Sequence, residues 1–192
     1  LPPRPIKFTP VRADPYHAIE SQLMLTRACL EVLAQRPPPA TIVLTRCALV
    51  DRDLELLAGI DNALLGFSLP TMDDQVRRHF EPKAAAVHRR FEILRRAGAL
   101  GVETFAVVQP MLPGKAERLA DLLAATVDSV ALDTLHGTHG AAEDFAAAGF
   151  EMAADAAWQR DRLAEMIELL SDRGVPIWSG ELPPSARRAA VM

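Results

Sequence analysis

The stretch from Thr41 to Pro82 limits the fold more than any other part of the chain. Residues 41–45 and 63–69 are short aliphatic runs that do not alternate with polar residues, the pattern of strands buried on both faces. Between them Leu54, Leu56 and Leu57 fall at helical spacing behind Asp51, which suits an N-cap. Strand, helix and strand in that order make a parallel unit with a right-handed crossover. Polar residues stand where each strand stops: Thr45 and Arg46 after the first, Ser68 and Thr71 after the second. Parallel α/β folds bind ligands at the carboxyl ends of their strands, so the site is expected there.

The same rhythm extends in both directions. A weak first strand near 6–11 leads into Ala13-Asp14-Pro15-Tyr16, a turn signal. Residues 19–35 follow a helical period with Leu23, Leu30 and Leu33 on the apolar stripe, stopped by Pro37-Pro38-Pro39. Thr71-Met72-Asp73-Asp74 opens a short helix with capping chemistry, broken at Phe80-Glu81-Pro82. Further helices are expected over 85–97, 115–126 and 155–173, with strands over 103–109, 128–132 and 175–178. Strand and helix thus alternate five or six times in 192 residues. A complete eight-unit barrel takes ~250 residues. The expected fold is therefore α/β, an incomplete TIM-type (β/α)6 barrel of parallel strands missing its first unit. It would occupy residues 1–184 as one domain, followed by a frayed tail at 185–192. A doubly wound open sheet is the alternative, opposed by the lack of a glycine-rich turn after any strand.

Net charge is −4 and the pI near 5.7, so no global basic field draws in nucleic acid. Arg77, Arg78, Lys83, His88, Arg89, Arg90, Arg95 and Arg96 do lie close together, but several share helical spacing opposite Phe91 and Leu94. They read as a solvated helix surface. The two cysteines, Cys29 and Cys47, are isolated, which gives no disulfide framework and suits the reducing cytoplasm. Cys29 falls in an apolar helical pattern and reads as core. No apolar run approaches the ~20 residues that span a bilayer.

No Gly-x-Gly-x-x-Gly, P-loop, Gly-x-Ser-x-Gly or His-Glu-x-x-His motif is present. The candidates are the polar residues at strand ends: Asp14, Thr45, Arg46, Ser68, Thr71, Gln109, Asp133 and His136. Arg46 suits a carboxylate or phosphate, gripped bidentately, while Ser68 and Gln109 suit ribose-like hydroxyls. Asp133-x-x-His136-x-x-His139 is the only stretch spaced like metal ligands. It lies in a glycine-containing loop without companions on other strands and reads as a polar loop. Glu81 reads as the ion-pair partner of Arg77 or Arg78 rather than as a catalytic carboxylate.

Several segments share order and spacing with a known family. They are Asp14-Pro15-Tyr16-His17-x-x-Glu20, Leu25-Thr26-Arg27-x-Cys29-Leu30-Glu31-Val32-Leu33 and Leu44-Thr45-Arg46-Cys47-x-Leu49-Val50-x-Arg52-Asp53-x-x-Leu56-Leu57. Phe67-Ser68-Leu69-x-Thr71-x-Asp73-x-x-Val76-Arg77-x-x-Phe80-Glu81-Pro82, Pro110-x-Leu112-Pro113 and Asp133-x-Leu135-His136 continue the series. Together they resemble radical S-adenosylmethionine proteins of the spore photoproduct lyase-like group over about residues 6–140. The resemblance implies an incomplete (β/α)6 barrel, reductive cleavage of S-adenosylmethionine by a [4Fe-4S] cluster, and lesion repair on nucleic acid. It places Arg46 and Ser68 at the cofactor, with Arg46 where the family has a lysine, and Asp14 and Gln109 join them as expected cofactor-binding residues from their strand ends. The group's Cys-x-x-x-Cys-x-x-Cys, which precedes its Asp-Pro-Tyr segment, is absent here. The expectation is therefore a carboxyl-terminal barrel portion of a longer enzyme, inactive in this form. The alternatives are a non-catalytic barrel binding a nucleotide-like ligand or a protein partner, and a metal-dependent barrel hydrolase using Asp133 and His136. A small-molecule cofactor is the partner expected, no membrane is, and the oligomeric state is left open.

Overall fold

Six parallel strands pair in the unbroken order β1 to β6: Ile6–Phe8, Thr41–Thr45, Ala63–Ser68, Glu103–Val108, Ser129–Leu132 and Ile177–Trp178. The computed structural model describes residues 4–10, 13–138, 140–147 and 149–189, and His139 lies outside them. Each strand lies beside its predecessor in the same direction. A doubly wound sheet must reverse its strand order at a switch point. This order never reverses, so the sheet is an arc of a barrel, open between β1 and β6.

The crossovers carry helices α1 (Glu20–Leu23), α2 (Leu25–Gln35), α3 (Leu54–Ala58), α4 (Asp74–Phe80), α5 (Val87–Ala99), α6 (Ala116–Ala124), α7 (Ala142–Ala146) and α8 (Ala156–Asp172). The main core lies between them and the convex face of the sheet, with Val43, Leu65, Phe67, Ala106, Val108 and Val130 pointing outward. The opposite parity, Ile42, Leu64, Phe105, Ala131 and Trp178, fills the concave face as a second cluster. Apolar side chains on both parities explain why the runs at 41–45 and 63–69 do not alternate. Within the expected frayed tail, residues 185–189 instead belong to α9 (Pro184–Ala189), with Ala186 buried in the concave cluster, and 190–192 lie outside the described residues. The helix plugs the end of the barrel where Ala40 leads into β2.

Residues 19–35 were expected as one helix, but Met24 adopts a left-handed φ of 53° and splits it into α1 and α2. The apolar stripe is redirected by the break. Leu30 remains fully buried, whereas Leu23 and Cys29, expected in the core, face solvent. Asp51 does not cap a helix. It lies in a 3-10 stretch, Ala48–Asp53, and accepts from Arg89 and Arg96 of α5. The Asp73 carboxylate does cap α4, accepting from Gln75 N at 2.7 Å and Val76 N at 3.4 Å.

A buried polar cluster ties the first crossover to the second. Asp53, wholly buried, accepts from Tyr16 Oη at 3.1 Å, Arg27 Nη1 at 2.5 Å and Arg52 Nε at 3.4 Å. Glu20 accepts from Arg52 Nη2 at 2.7 Å and from the first amides of α2, Thr26 N at 3.1 Å and Arg27 N at 3.3 Å. Those amides are orphans of the helix terminus, and the carboxylate both satisfies them and complements the dipole. Burial, and next the Asp53 carboxylate, push the Tyr16 phenol far above its usual range, so it donates at all ordinary pH.

Three stability outcomes follow. Asp53→Ala strands a buried phenol and the Arg27 guanidinium, and should cost about 3–5 kcal/mol in denaturant unfolding. Glu31→Ala removes only a half-exposed partner of the same Arg27 and should stay within about 1 kcal/mol. Gly66 faces the concave side, where an added Cβ would sit 2.3 Å from the Phe105 ring. Gly66→Ala should therefore cost about 1–3 kcal/mol, and Phe105→Leu in the same chain should restore part of it by opening that space.

Candidate functional site

The two-residue period of the strands determines which polar ends share a face. Following Ile42 and Leu44 along β2 gives Arg46, and following Leu64 and Gly66 along β3 gives Ser68. In the same way β4 gives Gln109 after Phe105 and Val107, and β5 gives Asp133 after Ala131. All four stand at the carboxyl ends of adjacent strands on the concave side. Two hollows open there. One, of about 670 Å³, is lined by Asp14, His17, Arg46, Cys47, Glu81, Lys83 and Gln109 on its polar side, and by Phe80, Leu112, Leu135 and Phe145 on its apolar side. The other, of about 390 Å³, runs into the bore over Leu44, Phe105, Val107 and Trp178, with Lys7, Gln109 and Asp133 at its edge. Gln109 stands between them.

The predicted residues divide by what they touch. Arg46 and Gln109 present side chains to the larger hollow, and Gln109 Nε2 also donates to Thr134 O at 3.3 Å. Asp14 lines it too, but its carboxylate is fully engaged, accepting from Thr45 Oγ1 at 2.5 Å, Arg46 N at 2.7 Å and Tyr16 N at 2.9 Å. Its work is to fix the turn that carries Arg46. Ser68 is buried, shares the concave face and lies outside the wall of both hollows. Thr71 is buried and turned away, donating to Pro113 O at 2.6 Å and accepting from Asp73 N at 3.0 Å. His136 pairs with Asp133 at 2.9 Å on an exposed loop, and among the described residues no group of three His, Cys, Asp or Glu side chains could hold a metal.

Glu81 is an ion-pair residue, as expected, but with other partners. Its Oε1 lies 2.7 Å from Arg46 Nε and its Oε2 accepts from Arg90 Nη2 at 2.7 Å. Arg77 instead bonds Asp74 from Nε at 3.0 Å and the Glu81 and Ala84 carbonyls from Nη1, and is itself buried. Beside it the Asp74 carboxyl is held below its ordinary range, first by the Arg77 hydrogen bond. Nor is Arg90 part of a solvated surface. It is wholly buried and donates to Ala85 O at 2.8 Å and Ser68 O at 2.6 Å besides Glu81. The signal was available, since Arg90 falls on the stripe Val87, Arg90, Leu94, Ala97 that α5 turns to the core. Gln159, also buried, bonds Met111 N and O, Ala153 O and Leu135 N, joining the two loops that wall the hollow. Nothing in its helical spacing marked it.

Around the apolar wall, His79 stacks on Phe150 with centroids 4.5 Å apart and hydrogen-bonds Asp144 O at 2.9 Å. Phe80 packs on Phe145 at 4.8 Å. The segment containing α7 is thereby seated on α4 and closes one side of the larger hollow. Burial, then Asp14, push the Cys47 thiol up from an ordinary 9.0 to about 11.

No family model matches the chain. An uncharacterized protein of Methanocaldococcus jannaschii is 25% identical over 101 residues, which are 53% of this chain and 38% of that protein. An uncharacterized protein of Acidianus two-tailed virus is 33% identical over 73 residues, 38% of this chain and 24% of that protein. The chain thus spans well under half the length of the relatives it matches. Among solved structures, Streptococcus suis SuiB bound to S-adenosylmethionine superposes with a TM-score of 0.61 at 11% identity, over 92% of this chain and 38% of that one. A spore photoproduct lyase mutant with bound AdoMet and dinucleoside spore photoproduct gives 0.65 at 12%, over 94% and 62%. The chain shares its fold, an open arc of parallel strands flanked by helices, with these two proteins. Among the described residues no helix is long and apolar enough to cross a membrane.

Thiol chemistry separates the two cysteines. Cys29, exposed on α2, should react with Ellman's reagent at pH 8 well before Cys47. A raised thiol pKa favours the neutral folded form, so its contribution to stability is complete below pH 9.0 and lost as pH rises through about 11. Cys47→Ser should flatten that alkaline limb of the unfolding curve.

Proposed function

We propose that this chain is the barrel portion of a radical S-adenosylmethionine enzyme and that the larger hollow takes S-adenosylmethionine. The observation that carries the reading is the composition of that hollow at the carboxyl ends of β2 to β5. A guanidinium (Arg46) and an amide (Gln109) face an apolar wall of Phe80, Leu112, Leu135 and Phe145. Its volume is in the range of small-molecule sites, and an adenine suits the apolar side while a carboxylate or ribose suits the polar side. SuiB and spore photoproduct lyase, with the same fold, have S-adenosylmethionine and AdoMet in their structures. In this reading Arg46 and Gln109 touch the ligand, Asp14 holds the Arg46 turn, and Ser68 supports the floor.

These residues do not fit a [4Fe-4S] cluster. Three thiolates are the usual minimum for a cluster with one open iron. The chain has two cysteines, one exposed on α2 and one at the end of β2 whose thiol is held protonated. Reductive cleavage therefore needs cysteines other than these, and no step is assigned to the residues described. This mismatch favours a second reading, a barrel that binds a nucleotide-like ligand without radical chemistry. Lesion repair is the substrate reading that the resemblance implies for the first of these.

Titration calorimetry with S-adenosylmethionine is expected to show one site per chain, weakened about tenfold or more by Arg46→Ala. Anaerobic iron and sulfide reconstitution of the 192 residues is expected to give no stable cluster absorbance. Failure to bind either S-adenosylmethionine or adenosine would sink the cofactor reading, and a stable cluster would refute the thiolate argument.

A further inference from the structure

The smaller hollow lies inside the arc of strands. Its walls are Ile42 and Leu44 of β2, Phe105 and Val107 of β4, Ala131 of β5 and Trp178 of β6. At the amino end Ala40 and Ala186 of α9 close the same apolar cluster, so the bore is blind there. The Trp178 indole is held in place by its Nε1–H, which donates to Ser129 Oγ at 3.2 Å, and it leans on the Phe105 ring with centroids 6.0 Å apart. Fixed aromatic faces of this kind suit another ring. The hollow measures about 390 Å³. An apolar cavity of about 150 Å³ holds a benzene ring, so the bore has room for one ring with a short tail and for little more.

Three charged side chains border it: Lys7, Asp133 and Glu181. The Asp133 carboxylate is already engaged, accepting from Thr134 N at 2.8 Å and lying 2.9 Å from His136 Nε2. Lys7 is not. It stands level with Ile42 in the strand register, on the concave face, and among the described residues its ammonium makes no hydrogen bond. Glu181 Oε2 lies 3.8 Å from Lys7 Nζ, on a side chain 90% exposed, and an ion pair that open contributes little. One under-used cation, beside the gap between β1 and β6, thus faces an apolar chamber.

We infer that the bore is a second binding site, for a small aromatic acid whose ring lies among Leu44, Val107 and Trp178 and whose anionic group meets Lys7. The inference goes beyond the cofactor reading and does not rest on it, since neither Arg46 nor Glu81 lines this hollow. Two observations favour a small molecule over a strand of nucleic acid. The blind end limits the depth that any occupant can use. A strand would also bring repeated phosphates to a mouth where Asp133 and Glu181 repel them and one ammonium attracts them.

Trp178 supplies the readout. The chain has two tryptophans, and Trp158→Phe leaves Trp178 as the reporter. In that background 3-phenylpropionate is expected to shift the emission saturably. It should bind roughly five- to tenfold more tightly than 3-phenylpropanol, with 3-phenylpropylamine weaker than both. Calorimetry on the unaltered chain should give the same ranking. Lys7→Met should bring the acid down to the affinity of the alcohol and leave the alcohol unchanged. Val107→Phe, which fills the bore, should abolish binding of all three, and Leu44→Phe serves where that variant does not fold. The proposal is overturned if no probe gives a saturable signal, if acid and alcohol bind equally to the unaltered chain, or if binding survives the filled bore. A single-stranded dinucleotide that shifts Trp178 at lower concentration than the acid also overturns it. A chain that binds the acid but not S-adenosylmethionine loses only the cofactor reading, and the reverse result removes only this site.

Discussion

A buried arginine is costly unless every donor it aims inward finds an acceptor, and Arg90 shows how that condition shapes a site. Its three bonds reach the last residue of β3, the connection into α5 and the loop after α4. Those belong to two separate pieces of chain, the end of β3 and the connection from α4 to α5, and the guanidinium is satisfied only when both are in place. The Ser68 carbonyl sits at the strand end where the ladder runs out, so the arginine also supplies a donor that the sheet no longer provides. Removing any partner would leave a buried charge uncompensated. The geometry behind the hollow is thus fixed by desolvation rather than by the strength of any single contact.

The motifs that carry the family resemblance turn out to do architectural work at their most distinctive positions. Tyr16, Glu20, Thr26, Arg27, Arg52 and Asp53 all belong to the cluster joining the first two crossovers. Asp14 locks the turn after β2 from the turn after β1. Charged residues at such regular spacing invite a catalytic reading, yet their atoms are spent on one another and on helix-terminal amides. What they transmit to the site is position: they hold the ends of β1 and β2 in register, which brings Arg46 to the hollow beside Gln109.

Much of the barrel was legible because parallel strands buried on both faces leave an unmistakable mark, and β2 matches its expected bounds to the residue. The helix α4 began where capping chemistry placed its start, at Asp73, and α8 is capped by Asp155, the first residue of the helical span expected there. Legibility failed where tertiary context overrode a local pattern. The left-handed Met24 turned an apolar period outward, so Leu23 and Cys29 lost the core positions that spacing gave them. Among the basic residues of α4 and α5, charge suggested water, whereas Arg77 and Arg90 are buried by the acceptors that other segments bring to them. The pairing of Glu81 with Arg46 crosses from one unit of the barrel to another, and no spacing within a helix can announce it. The apolar wall was missed for the same reason, since Phe80 and Phe145 meet only after α7 folds back on α4.

The hollow and the iron chemistry are separable in physical terms. Every hydrogen bond that fixes Arg46, Glu81 and the loops around Gln109 is made by residues of this chain with one another. Glu81 and Gln159, held in this way, need no metal to assume their positions, so part of the ordering cost of a ligand is already met in the folded barrel. A cluster contributed from elsewhere would then add an electron source beside a site whose shape is independent of it. Under the proposed function, the shape of the hollow is the same whether or not radical chemistry follows, and what separates the two readings is the supply of thiolates rather than the fold.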